Sequence, residues 1–367
     1  MTTPDADTYA LRSAPPAEAA APDLPYQPPL PRTYRPRIAL IGAGGIASAH
    51  LDAYRTAGWE VAAICSRNLS KAAALAPYAP RALITDRLDE ILSNPSIDVV
   101  DLTPHPAERL PLIEAALRAG KHVLSQKPFV LDLAEGQRLV KLAHDKGLKL
   151  AVNQNGRWAP HLSYMREAVR AGLVGPVQAV QVAIHWNHGW IAGTPFERMQ
   201  DLILYDFGIH WFDFLASFLG PAESVHAMAI RAHGQTATTP LMAQVMVRGP
   251  GTMASLVFNG ASAFGPSDTT HIAGSLGALH SEGPDLGQQA LTLTTAAGAA
   301  RPSLQGTWFN DGFRGAMGAL LVAIEDDTEP ANGAAENLTS LALAFAAIRA
   351  RQTRREVAVG SVTRLET

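Results

Sequence analysis

The sequence predicts an α/β protein made of two unlike halves. From residue 37 to about residue 155, short apolar runs alternate with helical stretches, which is typical of a parallel sheet covered by helices. From residue 156 onward, most runs alternate apolar and polar residues with a period of two, which predicts a mostly antiparallel sheet. The chain has 367 residues, enough for two domains, so we expect units at 37–155 and 156–367 behind an N-terminal arm at 1–36.

The composition excludes several classes of protein. Lysine and arginine together number 30 and aspartate and glutamate 33, a net charge of 30 − 33 = −3, and there is no basic cluster to attract nucleic acid. No window approaches the roughly 18 apolar residues of a membrane span, and we see no secretory signal. Cys65 is the single cysteine, which excludes an intrachain disulfide and a cysteine-rich zinc module. We therefore expect a cytoplasmic protein without a nucleic-acid or membrane partner.

The arm at 1–36 is rich in alanine and proline. Proline neither continues a helix nor donates to a sheet. Two interpretations follow: a disordered tail, or an extended arm that lies on a neighbouring subunit.

The first half is predicted to alternate strands and helices. The strands are expected at 38–41, 61–65, 82–85, 99–102, 123–125 and 149–152. The helices are expected at 46–57, at 71–75 with Ser70 as cap, at 107–119, and at 133–146 with Gly147 ending the last one.

The second half is predicted to begin with a helix at 161–171. Strands are then expected at 177–186, 225–232, 242–247, 252–258, 271–276 and 279–283, with a hairpin turn at 248–251. Two C-terminal helices, at 313–324 and 334–351, are expected to pack on both halves.

A glycine-rich loop follows the first strand and opens the first helix. It has the pattern G-x-G-x-x-A, with candidate cofactor-binding residues Gly42, Gly44, Gly45, Ile46 and Ala47. The first glycine permits a tight turn, the second lets the backbone approach a diphosphate, and the small Ala47 lets helix and strand pack closely. The helix N-terminus adds free N–H groups and a positive dipole end. The first half is therefore predicted to be a Rossmann dinucleotide-binding domain.

The residues after the second strand bear on the choice of cofactor. An acid at this place accepts from the 2′-hydroxyl of NAD, but the chain has Ser66 and Arg67. A serine that hydrogen-bonds and an arginine that pairs with a 2′-phosphate favour NADP. In the alternative, Arg67 stacks on adenine and either cofactor binds.

Two further patterns carry candidate catalytic groups. Lys127 follows the strand at 123–125, at the sheet edge where open α/β sheets bind ligands, although an isolated lysine there can equally be a surface cation. On a helix, Asp206, His210, Asp213 and Ser217 would form one polar stripe among apolar neighbours. Burying such groups is costly unless they are paired or in use, so they are either catalytic or an Asp–His pair that ties the domains together.

These patterns together resemble the glucose-fructose oxidoreductase/inositol dehydrogenase/rhizopine-catabolism (Gfo/Idh/MocA) family. The resemblance runs from about Arg37 to the C-terminus. It rests on the glycine loop, the run 98–104 ending in Thr103-Pro104, the run 119–128 ending in Lys127-Pro128, the run 155–160, and Asp206-x-x-x-His210 with Asp213.

The resemblance implies a Rossmann domain, an open and mostly antiparallel sheet domain, and NAD(P)-dependent oxidation or reduction of sugars and polyols. Lys127 matches the lysine that contacts the nicotinamide ribose and substrate, His210 the general acid/base, and Asp206 the carboxylate that holds substrate or tunes the histidine. Thr103, Pro104 and Gln126 are then expected beside the cofactor. Arg157, His185, Trp186 and Asp213 are expected as further substrate contacts, with core packing the alternative for Trp186 and Trp190.

The chain departs from the family pattern at three places. Gln126 replaces the glutamate before the lysine, Arg109 stands for the histidine usually found after Thr-Pro, and 199–203 replaces a glycine-rich lead into the Asp-x-x-x-His motif. A neutral Gln126 can only hydrogen-bond, whereas a carboxylate would raise the pKa of Lys127.

The sequence therefore predicts an oxidoreductase that transfers hydride between NADP, or NAD, and a carbohydrate. Two alternatives stay open: a redox-neutral glycoside-processing enzyme with tightly bound cofactor, and a non-catalytic dinucleotide sensor. We expect no metal, since His185 and His188 do not have the spacing of a zinc signature. The exposed face of the second sheet is expected to join copies of the chain into a dimer or tetramer, as in the resembled family.

Overall fold

The structure, a computed structural model, describes residues 15–366. Residues 15–36 are not a disordered tail, because they pack on their own chain. Strand β1 (Glu18–Ala19) pairs in parallel with residues 299–300. Further along, the Pro22 carbonyl accepts from Tyr164 Oη at 2.8 Å, and the Glu325 carboxylate accepts from backbone N–H groups of residues 32–34. Residues 1–14 of the predicted arm lie outside the described residues.

The first half is a six-stranded, all-parallel sheet in the order β4-β3-β2-β5-β6-β7. Its strands are β2 (Arg37–Ile41), β3 (Glu60–Cys65), β4 (Leu83–Thr85), β5 (Val99–Leu102), β6 (His122–Gln126) and β7 (Leu150–Asn153). Its helices are α1 (Ala47–Ala57), α2 (Leu69–Ala73), α3 (Leu88–Leu92), α4 (Pro106–Arg118) and α5 (Leu133–Asp145). The predicted Rossmann-like sheet is confirmed, with α3 as an additional helix.

The cap of α2 differs from the prediction. Asn68 Oδ1 accepts from the backbone N–H of Lys71 at 3.1 Å, while the Ser70 hydroxyl donates to the same oxygen. Asn68, rather than Ser70, therefore caps the helix, which begins two residues earlier than expected.

The second half is a ten-stranded sheet in the order β1-β15-β14-β13-β12-β8-β11-β10-β9-β16. The strands are β8 (Val177–His185), β9 (Ser224–Ile230), β10 (Met242–Gly249), β11 (Thr252–Asn259), β12 (Ser267–Gly274), β13 (Gly277–Asp285), β14 (Gln288–Thr295), β15 (Gly298–Ala300) and β16 (Val357–Ala358). The helices are α6 (Pro160–Arg170), α7 (Ile209–Ala216), α8 (Phe309–Glu325) and α9 (Ala334–Thr353). Most pairings are antiparallel, as expected; β8 with β11 and β1 with β15 are parallel.

The period-two pattern places one face of this sheet inside. Along β10, Ala243, Val245 and Val247 are buried, while Gln244 and Met246 are exposed. The inner face packs on helices, and one hydrophobic core continues from it into the parallel sheet.

The two C-terminal helices join the halves, which confirms their expected packing. Helix α8 contacts α1 and β7, and α9 contacts α5, α7 and β9. Within residues 15–366, no helix is both long enough and apolar enough to cross a bilayer.

Candidate active site

The glycine loop lies between β2 and α1, at the carboxyl edge of the parallel sheet. Gly42 has a φ of +106°, and a Cβ there would lie 2.4 Å from Thr103 Oγ1, so the position requires glycine. By contrast, a Cβ at Gly44 or Gly45 would meet nothing within 4 Å. Ile46 precedes α1 without a side-chain cap, and Ala47 is buried beneath the loop. The loop therefore leaves open space beside an uncapped helix N-terminus, which suits a diphosphate.

The residues expected at the adenosine end follow β3 directly. Arg67 is strongly exposed, and its Nη2 lies 2.7 Å from Glu108 Oε1 at the start of α4. Ser66 Oγ accepts from the backbone N–H of Asn68 at 3.3 Å. Both side chains lie at the rim of the carboxyl edge, and no acid follows Cys65 directly.

Arg109 connects two loops at this edge. Its guanidinium is buried and donates to the backbone carbonyls of Pro104, Lys127 and Pro128. Burial lowers the pKa of Arg109 to about 10, which still leaves it charged at neutral pH. Arg109 thus ties the Thr103-Pro104 loop to the Lys127 loop, a role that the sequence did not reveal.

Lys127 extends from the end of β6 to the second domain. Its Nζ lies 3.1 Å from Asp206 Oδ2 and donates to the Asp206 carbonyl at 2.9 Å. Both side chains keep about a fifth of their surface exposed, 18% and 20%. The backbone N–H of Lys127 donates to Gln126 Oε1 at 2.7 Å. Lys127 is therefore an inter-domain group, not an isolated surface cation.

The polar stripe predicted at 206–217 is interrupted. Residues Ile203–Phe207 form a π-helical turn, and α7 begins only at Ile209. Asp206 accordingly turns to Lys127, and no hydrogen bond among the described residues joins Asp206 to His210. The prediction of one continuous helical stripe is wrong because the wider turn changes the angular spacing of its side chains.

His210 lies at the start of α7 and is half-buried. Its Nδ1 is buried without a hydrogen-bond partner, and a Cβ on Gly156 would lie 3.4 Å from it. Burial, and then the Lys127 ammonium, lower the pKa of His210 well below its usual value. The imidazole is therefore neutral near neutral pH, and Nε2 is the nitrogen left to accept a proton.

Arg157 and Asp213, expected to contact substrate, instead bind each other. Arg157 Nε lies 2.6 Å from Asp213 Oδ2, and Nη2 lies 2.9 Å from Oδ1. Glu336 and the Ala331 carbonyl take the other guanidinium contacts, and Ser340 donates to Asp213. Both side chains are buried and fully engaged, so neither is free to meet a substrate.

An aromatic cluster lines the second-domain side of Lys127 and Asp206. Trp186 stacks on Phe207 with ring centroids 4.0 Å apart, and its Nε1 donates to His188 Nδ1 at 3.0 Å. His185 ends β8, and its Nδ1 lies 3.3 Å from Asn259 Nδ2 at the end of β11. Trp186 therefore packs within the aromatic cluster, which is closer to the packing role given as the alternative than to a substrate contact.

His188 is a member of this cluster that the sequence did not single out for substrate. Burial lowers the pKa of His188 to about 4. Because Nδ1 accepts from Trp186, Nε2 carries the proton and can donate. Trp190 packs edge-on against His188 and Phe196, and 58% of its surface is exposed. In the described part of the chain, no three metal-ligating side chains come together.

Two profiles of one oxidoreductase family match the chain. The profile of the oxidoreductase family's NAD-binding Rossmann fold matches residues 36–154, and that of the Gfo/Idh/MocA C-terminal domain matches residues 162–280. The chain belongs to the Gfo/Idh/MocA oxidoreductase family. The resemblance stated from the motifs is confirmed, together with its two-part fold and its NAD-binding class.

Relatives in this family include named dehydrogenases. An inositol 2-dehydrogenase of Rhizobium meliloti (strain 1021) is 26% identical over 332 residues, 88% of this chain and 99% of the relative. A D-apiose dehydrogenase of Paraburkholderia graminis is 30% identical over 205 residues, 54% of each chain.

Solved structures share the fold. A putative myo-inositol dehydrogenase from Sinorhizobium meliloti 1021 superposes with a TM-score of 0.74 at 26% identity, over 88% of this chain and 99% of that one. An oxidoreductase from Agrobacterium radiobacter, in complex with NAD+, L-tartaric acid and magnesium, reaches a TM-score of 0.79 at 20% identity, over 89% and 99%. At that identity the second likeness shows the fold alone.

Proposed function

We propose that this family member is an NAD(P)-dependent dehydrogenase or reductase that acts on a CH–OH group of a sugar, polyol or related carbohydrate. The observation that carries the proposal is the Lys127–Asp206 ion pair at the sheet edge that also carries the glycine loop, together with a neutral His210 whose pKa the Lys127 ammonium lowers. The names of the inositol and apiose dehydrogenases support the substrate class.

His210 serves as the general base for alcohol oxidation. Its lowered pKa keeps the ring unprotonated, so Nε2 accepts the proton of the reacting hydroxyl. In the reverse direction, the protonated ring returns that proton. The aromatic side chains around it exclude water from the reacting atoms, since His210 packs edge-on against Trp308 at 5.4 Å.

Lys127 and Asp206 position the substrate. Lys127 Nζ has three donors and gives two of them to Asp206, so one remains for the reacting oxygen. Asp206 accepts from an adjacent hydroxyl, which favours substrate binding over the other expected role of tuning His210. His188 Nε2 donates to a further hydroxyl, and the exposed indole of Trp190 contacts the apolar face of a sugar ring.

The residues at the carboxyl edge fit a dinucleotide. The open space at Gly44 and Gly45 and the free N–H groups before α1 would hold the diphosphate, with Thr103, Pro104 and Gln126 beside the nicotinamide end. A nicotinamide cofactor held by these residues would supply the hydride acceptor for oxidation, or the hydride donor for reduction, of the substrate carbon. We propose NADP as the preferred cofactor, with NAD as the alternative, because Arg67 can exchange Glu108 for a 2′-phosphate.

Cofactor titration tests the first part of this proposal. We expect Arg67→Ala to weaken NADPH binding about tenfold or more while NADH binding changes little. Arg87→Ala is the matched control, because Arg87 is also an exposed arginine that pairs with an acid, Asp89. An equal loss of affinity for NADPH and NADH would contradict the NADP preference. Gly44→Ala should abolish binding of both without unfolding the chain, and unchanged binding would place the cofactor elsewhere.

Turnover with a panel of sugars and polyols tests the second part. We expect NAD(P)-linked absorbance changes that disappear in His210→Ala. The redox-neutral alternative would be favoured if the protein kept its cofactor through purification and consumed a glycoside without a net change in NADPH. Cofactor binding without turnover of any carbohydrate would favour the sensor.

The outer face of the ten-stranded sheet is the proposed contact between copies of the chain. Met228, Ile230, Met246 and Met253 expose more than half of their surface there. Such an apolar patch is typical of an interface. We expect a dimer or tetramer by light scattering, and dissociation in Met246→Lys; a monomeric parent protein would refute this.

A further inference from the structure

A buried polar network lies under the candidate active site. His50 on α1 has its Nδ1 2.7 Å from Asp101 Oδ2 on β5. Its Nε2 lies 3.0 Å from Gln126 Nε2 and 3.1 Å from Asn153 Nδ2. His50, Asp101 and Asn153 are completely buried. The proposed reaction uses none of these three residues, and their hydrogen bonds offset the cost of burying them.

The backbone N–H of Lys127, at one end of this network, fixes which groups donate and which accept. The backbone N–H of Lys127 can only donate, so Gln126 must turn Oε1 to it and Nε2 to His50. His50 Nε2 then has to accept, and the same applies to its contact with Asn153. The imidazole proton is therefore on Nδ1, where Asp101 accepts it.

Tyr54 is a side branch of the network. Its hydroxyl donates to the same Asp101 oxygen at 2.6 Å. Burial, together with Asp101, raises the pKa of Tyr54 well above its usual value, so it stays a donor. Tyr54 makes no hydrogen bond to Gln126 or to Lys127.

We propose that the His50–Asp101 pair is a positioning device that acts through Gln126 on Lys127. Gln126 holds the Lys127 N–H, and Arg109 holds the Lys127 carbonyl at 3.4 Å. The lysine peptide is thus held on both sides while Nζ reaches Asp206. The inference rests on the proposed function only in that Lys127 is taken to contact the substrate.

The network also explains the departure at position 126. A glutamate there would accept from the Lys127 N–H but would have no donor for His50 Nε2. Besides residue 126 on β6, the groups that face His50 are Asp101 on β5, Tyr54 on its own helix, Asn153 on β7 and the apolar ring of Phe313 on α8 at 4.6 Å. In a Gln126→Glu variant, His50 would be held doubly protonated between two carboxylates.

Nitrogen NMR of histidine-labelled protein tests the direction of the chain without any need for turnover. We expect the His50 signal, assigned by its loss in His50→Gln, to report a neutral ring with the proton on Nδ1. In Gln126→Glu, it should report an imidazolium at neutral pH. A proton on Nε2 in the parent protein would overturn the proposal.

Two amide variants of His50 separate positioning from simple packing. In His50→Gln, the side-chain oxygen reaches the place of Nε2 and still accepts from Gln126; in His50→Asn, only the Nδ1 end is replaced. We expect exchange of the Lys127 amide to rise about tenfold in His50→Asn and to stay near the parent rate in His50→Gln. Equal exchange in the two variants would refute the proposal.

Kinetics then connects the device with the reaction. We expect His50→Asn to lower kcat about ten- to a hundredfold at unchanged cofactor Kd, and His50→Gln to restore most of it. Tyr54→Phe is the control: it removes a hydrogen bond to Asp101 and lowers stability but should leave kcat unchanged. If the parent protein turns over no carbohydrate, the proposed function fails, while the NMR and exchange results still decide the positioning.

Discussion

The carboxylates of two ion pairs, Asp206 and Asp213, lie seven residues apart in the chain, and the two pairs differ in every respect that matters for function. Asp213 with Arg157 is buried, with 2% and 3% of the side chains exposed, whereas Asp206 with Lys127 keeps 20% and 18% exposed. The first pair lies within the second domain, and the second pair joins the two domains.

The contrast lies in how much hydrogen-bonding capacity remains. Asp213 accepts from Arg157 and Ser340, and Arg157 spends its remaining donors on Glu336 and the Ala331 carbonyl. Although burial works against the charge, the Asp213 and Glu336 carboxylates raise the pKa of Arg157 above its usual value. Lys127 and Asp206 satisfy only part of their capacity with each other. The saturated pair, Arg157 with Asp213, stabilises the scaffold. The open pair, Lys127 with Asp206, keeps free donors and acceptors that can bind a ligand.

The largest effect is expected from breaking the saturated pair. Asp213→Ala leaves a buried guanidinium without its main partner, so the free energy of unfolding should fall by about 3–5 kcal/mol. Urea denaturation measures this loss. A variant that is fully stable but inactive would instead give Asp213 a direct role in the reaction.

Breaking the open pair should give the opposite result. Asp206→Asn is isosteric, and the partly exposed pair contributes only about 1 kcal/mol or less to stability. The specificity constant kcat/KM should nevertheless fall by about 10² or more, since the proposed substrate contact is lost. Steady-state kinetics and thermal melting on the same sample compare the two. Full activity in Asp206→Asn would remove this residue from the proposed site.

The pH dependence of His210 tests the contrast between the two ion pairs further. Lys127, the cation of the open pair, lowers the pKa of His210. The folded pKa of His210 lies below its usual value, so the base stays unprotonated, and oxidation should continue, as pH falls through about 6.5. In Lys127→Met, the repelling charge is gone and the pKa should rise. An NMR titration of His210 in both proteins measures the shift; no change would place the two residues out of reach of each other.

A buried base with one unpartnered ring nitrogen should give the smallest effect. His161 on α6 has an unpartnered Nε2, and burial lowers its pKa to about 3. The unfolded chain therefore takes up a proton near pH 6.5 that the folded chain refuses, so stability falls as pH drops below that value. In His161→Phe, the slope of stability against pH between about 6 and 4 should decrease by about one proton. An identical slope would mean that water reaches His161.

The sequence predicted the parallel sheet well because its signals are local. The glycine loop, the apolar runs of β2 and β5, and the end of α5 shortly before Gly147 each depend on neighbouring residues. The same holds for Lys127, which the sheet order places at the carboxyl edge. The family assignment followed from the order of these motifs.

What the sequence could not supply depends on distant contacts. Helical spacing alone put Asp206 and Asp213 on one stripe, but the π-helical turn at Ile203–Phe207 separates their surroundings. The partner of Asp213 is 56 residues away in the chain, and His50 reaches Gln126 across 76 residues. Such contacts decide whether the hydrogen-bonding capacity of a charged residue is saturated. The saturated pair and the open pair therefore could not be distinguished in the sequence.

The ends of the ten-stranded sheet have a consequence for how the protein behaves at high concentration. Both outermost strands, β1 and β16, contain only two residues, and prolines stand shortly before β1 at positions 15 and 16. An exposed long edge strand is a template on which other chains add and form aggregates. At each end of this sheet the outermost strand is only two residues long, so that strand gives another chain a very short template for such growth. Removing residues 1–36 would uncover β15 and should raise turbidity on warming.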